Sequence, residues 1–254
     1  MKKYIEIMPK PRLLITRFAP HAKRLADLLN EQGIYSLAQP LLEIKAVASS
    51  LYPFHKKYDD IIAISANAVE YTDRVLKGEQ WPLARYLAVG ESTKSLLAQK
   101  VGQSVFLPCE TFNSEGLLAL SQLQQLKNRS ILILRGVGGR EFLKEELIAR
   151  GASVDYYESY QRVAINFSRS TSIQKWQQLA INGAIISSVE LLEQLIIVAK
   201  DDKNWLLSLT IFTASERILE HAIALGFQKT ELLPSISNQK IIDYFTDEGS
   251  YDRY

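Results

Sequence analysis

The chain has almost nothing from which to build a metal or redox centre. Cys109 is its only cysteine, which excludes an intrachain disulfide and suits a reducing compartment. His21, His55 and His221 are scattered, and none falls into the spacing of zinc ligands, so no metal is expected. Long apolar runs are missing as well. The most apolar stretch, Leu191 to Ala199, contains Glu193 and Gln194 and falls far short of the ~20 residues that a membrane span needs. Lys2, Lys3 and Glu6 stand among too few apolar residues for a secretory signal, so a cytoplasmic location is expected. Neither sign of charge is in excess. With 30 Lys plus Arg against 28 Asp plus Glu, nucleic acid and membrane are not expected partners, and any preference for anions has to be local.

What is present is a soluble composition and a repeat. Over 254 residues, 47% hydrophobic and 23% charged content allows one large or two small cores. Ile64-Ser65-Ala66-Asn67-Ala68-Val69 in the first half is answered by Ile186-Ser187-Ser188-Val189-Glu190-Leu191 in the second. Ala88-Val89-Gly90-Glu91-Ser92-Thr93 leads a helical pattern stopped by Gly102, and Phe212-Thr213-Ala214-Ser215-Glu216-Arg217 leads one stopped by Gly226. Pro108 with Ser114 and Pro234 with Ser237 close the two copies. Leu13 to Arg17 runs into a helix stopped by Gly33, and Ile131 to Arg135 into one stopped by Gly151. A repeated strand-loop-helix unit spaced at about half the chain implies two similar domains. The cleft between them is the natural place for function.

Buried strands are expected at Arg12 to Phe18, Asp59 to Ser65, Arg85 to Val89, Ser104 to Leu107, Ser130 to Arg135, Asn182 to Ser187, Ser208 to Thr213 and Lys229 to Leu233. Their alternation with helices argues for parallel sheets with crossover helices, an α/β fold. Pro20 reads as a first helical position before Leu25, Leu28 and Leu29. Asn67 reads as the cap of a helix lined by Val69, Thr72 and Leu76, and Thr213 with Glu216 has capping-box spacing. Pro40 to Val47 and Ser159 to Ile165 read as paired extended connectors, residues 166–176 as a Ser/Thr-rich loop, and Asp247 to Tyr254 as a frayed end.

Candidate chemistry gathers at the carboxyl ends of strands. Ser65 and Ser187 are possible nucleophiles, but neither lies in a Gly-x-Ser-x-Gly elbow, and capping a helix is the favoured reading. Arg135-Gly136-Val137-Gly138-Gly139-Arg140 follows a strand and opens a helix, so its backbone N–H groups and two arginines suit an anion; the competing reading is a flexible turn with surface arginines. Glu141 stands where a dinucleotide fingerprint needs its third glycine, and no Gly-Lys-Ser/Thr ending makes it a P-loop. Arg17 occupies the same place in the partner unit. Ser92, Thr93, Asn113, Ser114, Ser215 and Ser237 all stand at helix starts, each an ordinary cap singly and together a set of N–H donors suited to a molecule with many carboxylates.

These residues resemble the uroporphyrinogen-III synthases of tetrapyrrole biosynthesis. The likeness rests on Leu14 to Arg17, Ser65 to Val69, Ala88 to Thr93, Asn113 to Leu118, Leu134 to Arg140, Tyr160-Gln161-Arg162, Ser187 to Leu191 and Ser215-Glu216-Arg217, in that order and spacing over about residues 12–245. It implies two α/β domains on a two-stranded connector, the chain entering one, building the other and returning. Applied here, residues 1–39 plus 166–254 form one domain and 44–161 the other, with connectors near 40–43 and 162–165. The implied reaction, a step of haem biosynthesis, closes hydroxymethylbilane with loss of its hydroxyl and inversion of ring D, giving uroporphyrinogen III, without a cofactor. Tyr160 matches the tyrosine proposed to help the hydroxyl leave; packing between domains is the competing role. Substrate contacts are implied at Arg17, Ser65, Ala66, Asn67, Gly90, Ser92, Ser114, Arg135, Gly136, Gly138, Gly139, Arg140, Ser187, Ser188, Ser215 and Arg217. Ser215 replaces the glycine more usual in its loop. A monomer is expected, as no exposed apolar stripe demands a partner. The rival readings are a non-catalytic bilobal module for an anionic small molecule and a nucleotide-dependent enzyme using Gly136 to Gly139.

Overall fold

The computed structural model of the protein describes residues 10–47 and 52–247. In chain order its principal elements are β1 (Leu13–Ile15), α1 (His21–Glu31), β2 (Ser36–Ala38), β3 (Leu42–Ala46), β4 (Asp60–Ala63), α2 (Ala66–Leu76), β5 (Arg85–Ala88), α3 (Glu91–Val101), β6 (Val105–Phe106), α4 (Ser114–Ala119), β7 (Ser130–Gly136) and α5 (Phe142–Ala149). There follow β8 (Ser153–Ala164), α6 (Arg169–Gln178), β9 (Gly183–Ile185), α7 (Val189–Val198), α8 (Lys203–Ser208), β10 (Thr210–Thr213), α9 (Glu216–Ala224), β11 (Lys229–Leu232) and α10 (Asn238–Thr246). Two compact units divide the chain, one of residues up to Glu43 with those from Val163 onward, the other Ile44–Arg162.

The first unit is a parallel sheet in the order β11-β10-β9-β1-β2. Its central strands are short and apolar throughout because both faces are covered. Leu14 points into one core with Ile173, Trp176, Leu191, Leu195 and Ile218 from α6, α7 and α9. Leu13 and Ile15 point into the opposite core with Leu25, Leu29, Ile241 and Phe245 from α1 and α10. The second unit repeats the plan. Its sheet runs β3-β8-β7-β4-β5-β6, with Leu132 and Leu134 facing α2 and α3 and Ile131 and Ile133 facing α4 and α5.

Strand order reveals the kinship of the units. Reading β2-β1-β9-β10-β11 against β8-β7-β4-β5-β6 pairs β1 with β7, β9 with β4 and β10 with β5. These are the pairs that the repeated sequence motifs predict. In the first unit the chain visits these places in the doubly wound order, whereas in the second it builds β4, β5 and β6 before β7 and β8. The edge strand β3 joins β8: Val47 donates its N–H to the Ser159 carbonyl and Ile165 to that of Leu41, bonds that make the pair antiparallel.

Several local expectations are corrected. Residues 166–176 are largely helix α6, not a loop, because Ile173 and Trp176 one turn apart bury one face and outweigh a polar composition. The cap of α2 is Ser65, whose Oγ accepts from the Ala68 N–H; Asn67 lies inside the helix and is exposed. In the second copy the cap falls on Ser188, not Ser187, with its Oγ accepting from the Leu191 N–H. Thr213 lies buried at the end of β10 and forms no capping box; Ser215 is the N-cap of α9. Pro20 is the residue before α1, not its first turn, and Gly90, not Ser92, caps α3. Residues 248–254 lie outside the described residues, as do Lys2, Lys3 and Glu6. Among the described residues, no helix is long and apolar enough to cross a membrane, and no cluster of His, Cys, Asp and Glu is placed to hold a metal.

Candidate functional site

Open parallel sheets offer ligands a crevice at the carboxyl ends of their strands, where the strand order reverses. In the second unit that point lies between β7 and β4, which pair in parallel with Leu134 beside Ala63. The residues leaving these two strands are Ser65 after β4 and Arg135 to Arg140 along and after β7. Beside them, β8 carries Tyr160 opposite Gly136. The Tyr160 phenol oxygen lies 3.1 Å from Ser65 Oγ. The phenol is nearly buried, at 3% exposure, and Tyr71 borders its ring at a centroid distance of 5.8 Å.

Hydrogen-bond capacity allows this pair either direction. A serine hydroxyl has one proton to donate and two acceptor sites. One acceptor site of Ser65 takes the Ala68 N–H at 3.1 Å. The second acceptor site and the proton of Ser65 both remain, so either hydroxyl of the pair can donate to the other; with Ser65 as donor, the phenol proton is left to be offered elsewhere.

The Arg135 guanidinium is committed within its own loop. It is 1% exposed, donates from Nη1 to Glu141 Oε1 at 3.0 Å, from Nε to the Gly136 carbonyl at 3.2 Å and from Nη2 to the Gly138 carbonyl. Its carbon lies 4.3 Å from the Tyr156 ring centroid, and Glu158 stands 4.0 Å from Nε. Tyr156 donates to the other Glu141 oxygen at 2.9 Å; burial, then the hydrogen bond to Glu141, pushes the Tyr156 pKa up to about 12. Hydrogen bonding to Tyr156 holds the Glu141 pKa down, so the loop carries an intact ion pair at neutral pH. Arg140 is exposed and pairs with Glu115 at 2.9 Å, tying this loop to the first turn of α4. Ser114 opens that turn, while the neighbouring Asn113 supplies its side-chain cap to the Gly116 N–H. Gly138 and Gly139 are exposed with positive φ, the Gly138 N–H directed at Glu158.

The first unit has the matching switch point between β1 and β9. Arg17 follows β1 as Arg135 ends the equivalent strand, but its surroundings differ. Its guanidinium donates to Asn238 Oδ1 at 2.9 Å and to the Ile236 carbonyl, both neutral, and Nε is buried without a partner among the described residues. Burial lowers its pKa, and among the described residues no carboxylate is placed to neutralise it. Ser187 is exposed and Ser188 caps α7. Ser215 caps α9 without a side-chain bond. Arg217 lies on the flank of α9, lining an open depression of about 520 Å³ with Val189, Glu220, His221 and Ala224.

The site candidates therefore form two sets. Ser65, Ala66, Asn67, Tyr160 and the loop from Arg135 to Arg140 meet at one switch point. Arg17, Ser187 and Ser188 follow the two strands of the other, while Ser215 belongs to the neighbouring loop after β10, as Gly90, Ser92 and Ser114 belong to the neighbouring loops of the second unit. Sequence reasoning missed Glu141, Tyr156 and Glu158 as partners of Arg135, since two of them come from β8.

Two doubly wound units, one inserted in the other along the chain, with hydroxyl and guanidinium groups at the switch points, define a tandem α/β protein. Residues 23–232 match the family model described as uroporphyrinogen-III synthase HemD. The chain is 32% identical over 241 residues to the uroporphyrinogen-III synthase of Salmonella typhimurium, covering 91% of this chain and 98% of that one, and equally so to that of Escherichia coli. That of Proteus mirabilis is 36% identical over 193 residues, covering 72% of this chain and 96% of its own. Solved uroporphyrinogen III synthases share the fold: a mutant from Thermus thermophilus has a TM-score of 0.62 at 13% identity over 92% of this chain and 97% of its own. The Helicobacter pylori structure scores 0.59 at 15% identity with the same two coverages. The chain belongs to the uroporphyrinogen-III synthase family.

Proposed function

We propose that this chain closes hydroxymethylbilane to uroporphyrinogen III. In the reaction the hydroxymethyl C–O bond breaks and the hydroxyl departs with a proton as water. The pyrrole nitrogen supplies electrons to the carbon left behind. The substituted carbon of ring D attacks that carbon, and the spiro intermediate reopens and recloses with ring D inverted. Loss of one proton restores the aromatic ring, so the net change is loss of one water. The bare bilane closes directly to isomer I, so the protein's task is to orient ring D and to assist departure of the hydroxyl.

Each switch point has a share in this task. The observation that carries the reading is the Ser65–Tyr160 pair, a phenol oxygen 3.1 Å from a serine hydroxyl. With Ser65 donating to the phenol oxygen, the Tyr160 proton is turned toward the departing hydroxyl and assists its loss. Arg17, a cation with neutral partners, takes a carboxylate of the bilane, helped by the N–H groups that open α7 and α10. Arg135 is assigned to holding its loop, because its donors are already paired. Arg217 is exposed and available to a further carboxylate, whereas Arg140 is paired with Glu115.

Two variants separate these roles. Tyr160→Phe is expected to lower kcat about a hundredfold while KM changes little. Arg17→Gln keeps the side chain polar and is expected to raise KM about tenfold, the weight of one charge-assisted hydrogen bond, with kcat preserved. Steady-state kinetics on freshly generated hydroxymethylbilane reads both. Enzyme-independent rates of bilane loss with the wild-type protein would refute the activity itself. Unchanged KM in Arg17→Gln would remove Arg17 from the carboxylate site.

A further inference from the structure

The missing side chain of Gly136 lies against the working end of Tyr160. A Cβ placed on Gly136 would stand 2.7 Å from Cζ of the phenol, 2.8 Å from Cε2 and 3.1 Å from Cε1. The first two distances are closer than carbon atoms can approach, and all three concern the hydroxyl-bearing end of the ring. The backbone beside it is also fixed: the Val137 N–H donates to the Tyr160 carbonyl at 2.8 Å.

The register of the strands creates this contact. β7 and β8 pair residue for residue from Ser130 with Ser153 to Arg135 with Glu158, then slip so that Gly136 faces Tyr160. Alternation along β7 sends Ile131 and Ile133 to one core and Leu132 and Leu134 to the other. Arg135 therefore turns toward Tyr156 and α5, and Gly136 toward Tyr160 and α2. On its side Arg135 binds the carbonyls of Gly136 and Gly138 and the Glu141 carboxylate, which fixes the slipped backbone from behind. A buried cation with several charge-assisted bonds is a stiff support.

We infer that Gly136 is a positioning residue for Tyr160, seating the phenol so that its hydroxyl meets Ser65, and that the Arg135–Glu141 pair holds this seat in place. The inference rests on the proposed role of Tyr160. It assigns the loop a duty other than anion binding: no group of it touches substrate for this purpose, and its effect travels through the ring. A Cβ at position 136 displaces the phenol by a fraction of an ångström to an ångström, a shift that orientation-dependent chemistry registers strongly.

The test is a double-mutant cycle on kcat and KM with hydroxymethylbilane, with circular dichroism and thermal unfolding recorded for every variant. Gly136→Ala is expected to lower kcat about tenfold and leave KM within about twofold. In a Tyr160→Phe background, where the hydroxyl is already gone, the same change is expected to cost less than about twofold. A merely structural role would lower the activity by the same factor in both backgrounds, and that result would overturn the inference, as would wild-type kcat in Gly136→Ala. Should Gly136→Ala fail to fold, Glu141→Gln decides, since it adds no heavy atom yet weakens the clamp. It is expected to lower kcat severalfold with Tyr160 present and not in its absence, and equal effects would again overturn the inference. If Tyr160→Phe alone turns over at the wild-type rate, the proposed role of Tyr160 fails, and the positioning role falls with it; that outcome is separable because it needs no change at Gly136.

Discussion

Asp60→Ala is expected to destabilise the protein by about 3 kcal/mol, the lower end of what breaking a buried ion pair costs. Asp60 opens β4 at the end of the sheet away from the switch point, and its side chain is fully buried. One oxygen accepts from Arg85 Nε at 2.5 Å and the other from Arg129 Nε at 2.8 Å. Arg85 also donates to the Gln122 carbonyl at 2.8 Å, so the carboxylate links β4, β5, the approach to β7 and the segment after α4. Removing it leaves two guanidinium groups facing each other without their shared anion. Both arginine side chains are about 30% exposed, at 29% and 31%, so water recovers part of the loss and the upper end of the range is not reached. Chemical denaturation monitored by circular dichroism reads the change. A loss below about 1 kcal/mol would assign this cluster the value of a surface pair. Because Asp60 lies at the opposite strand ends from Tyr160, the folded fraction should retain wild-type KM.

Trp176→Ala is expected to cost about 3–5 kcal/mol in the first unit. Trp176 heads the fully buried side chains by size and packs with Ile173, Leu191 and Leu195 in one core. Its ring lies 6.0 Å from that of Trp205 and 6.3 Å from that of Phe167. Truncation removes the largest apolar group that α6 contributes and leaves a cavity against the rigid face of the sheet. Among the described residues the indole N–H has no hydrogen-bond partner, so no hydrogen bond is lost with it. Chemical denaturation followed by circular dichroism reads the loss. Less than about 1 kcal/mol would mean that α6 is not integral to this core.

Trp176 also shows where the sequence misleads. The segment from Asn166 to Trp176 carries Ser168, Ser170, Thr171 and Ser172, and only Phe167, Ile173 and Trp176 mark a buried side. Three anchors in so polar a stretch give a weak period, and tertiary packing decides the helix. β2 is equally faint, as three residues of mixed character held by pairing to β1. The central strands were legible for the opposite reason. Ile61 to Ala63, Ile131 to Leu134 and Ile211 with Phe212 are continuous apolar runs because helices cover both sheet faces.

Caps were readable to within a residue or two. Ser65 and Ser188 hold their helices, yet their neighbours Asn67 and Ser187 offer the same chemistry, and only backbone geometry selects between them. At the site, the sequence located the loop from Arg135 to Arg140 and placed Arg17 in the equivalent position. It did not reveal that one arginine is caged and the other is not. The cage depends on Tyr156 and Glu158 reaching across from β8, a relation set by strand pairing and invisible to local spacing. Likewise, the contact of Gly136 with Tyr160 exists only because the register slips between Arg135 and Gly136.

The most direct measurement is the isomer composition formed when fresh hydroxymethylbilane is incubated with the purified chain and no added cofactor, the products being oxidised and separated chromatographically. The account predicts that isomer III predominates with the wild-type protein, and that Tyr160→Phe slows its formation enough for isomer I from spontaneous closure to compete. Isomer I alone, appearing at the rate seen in buffer, would contradict the account.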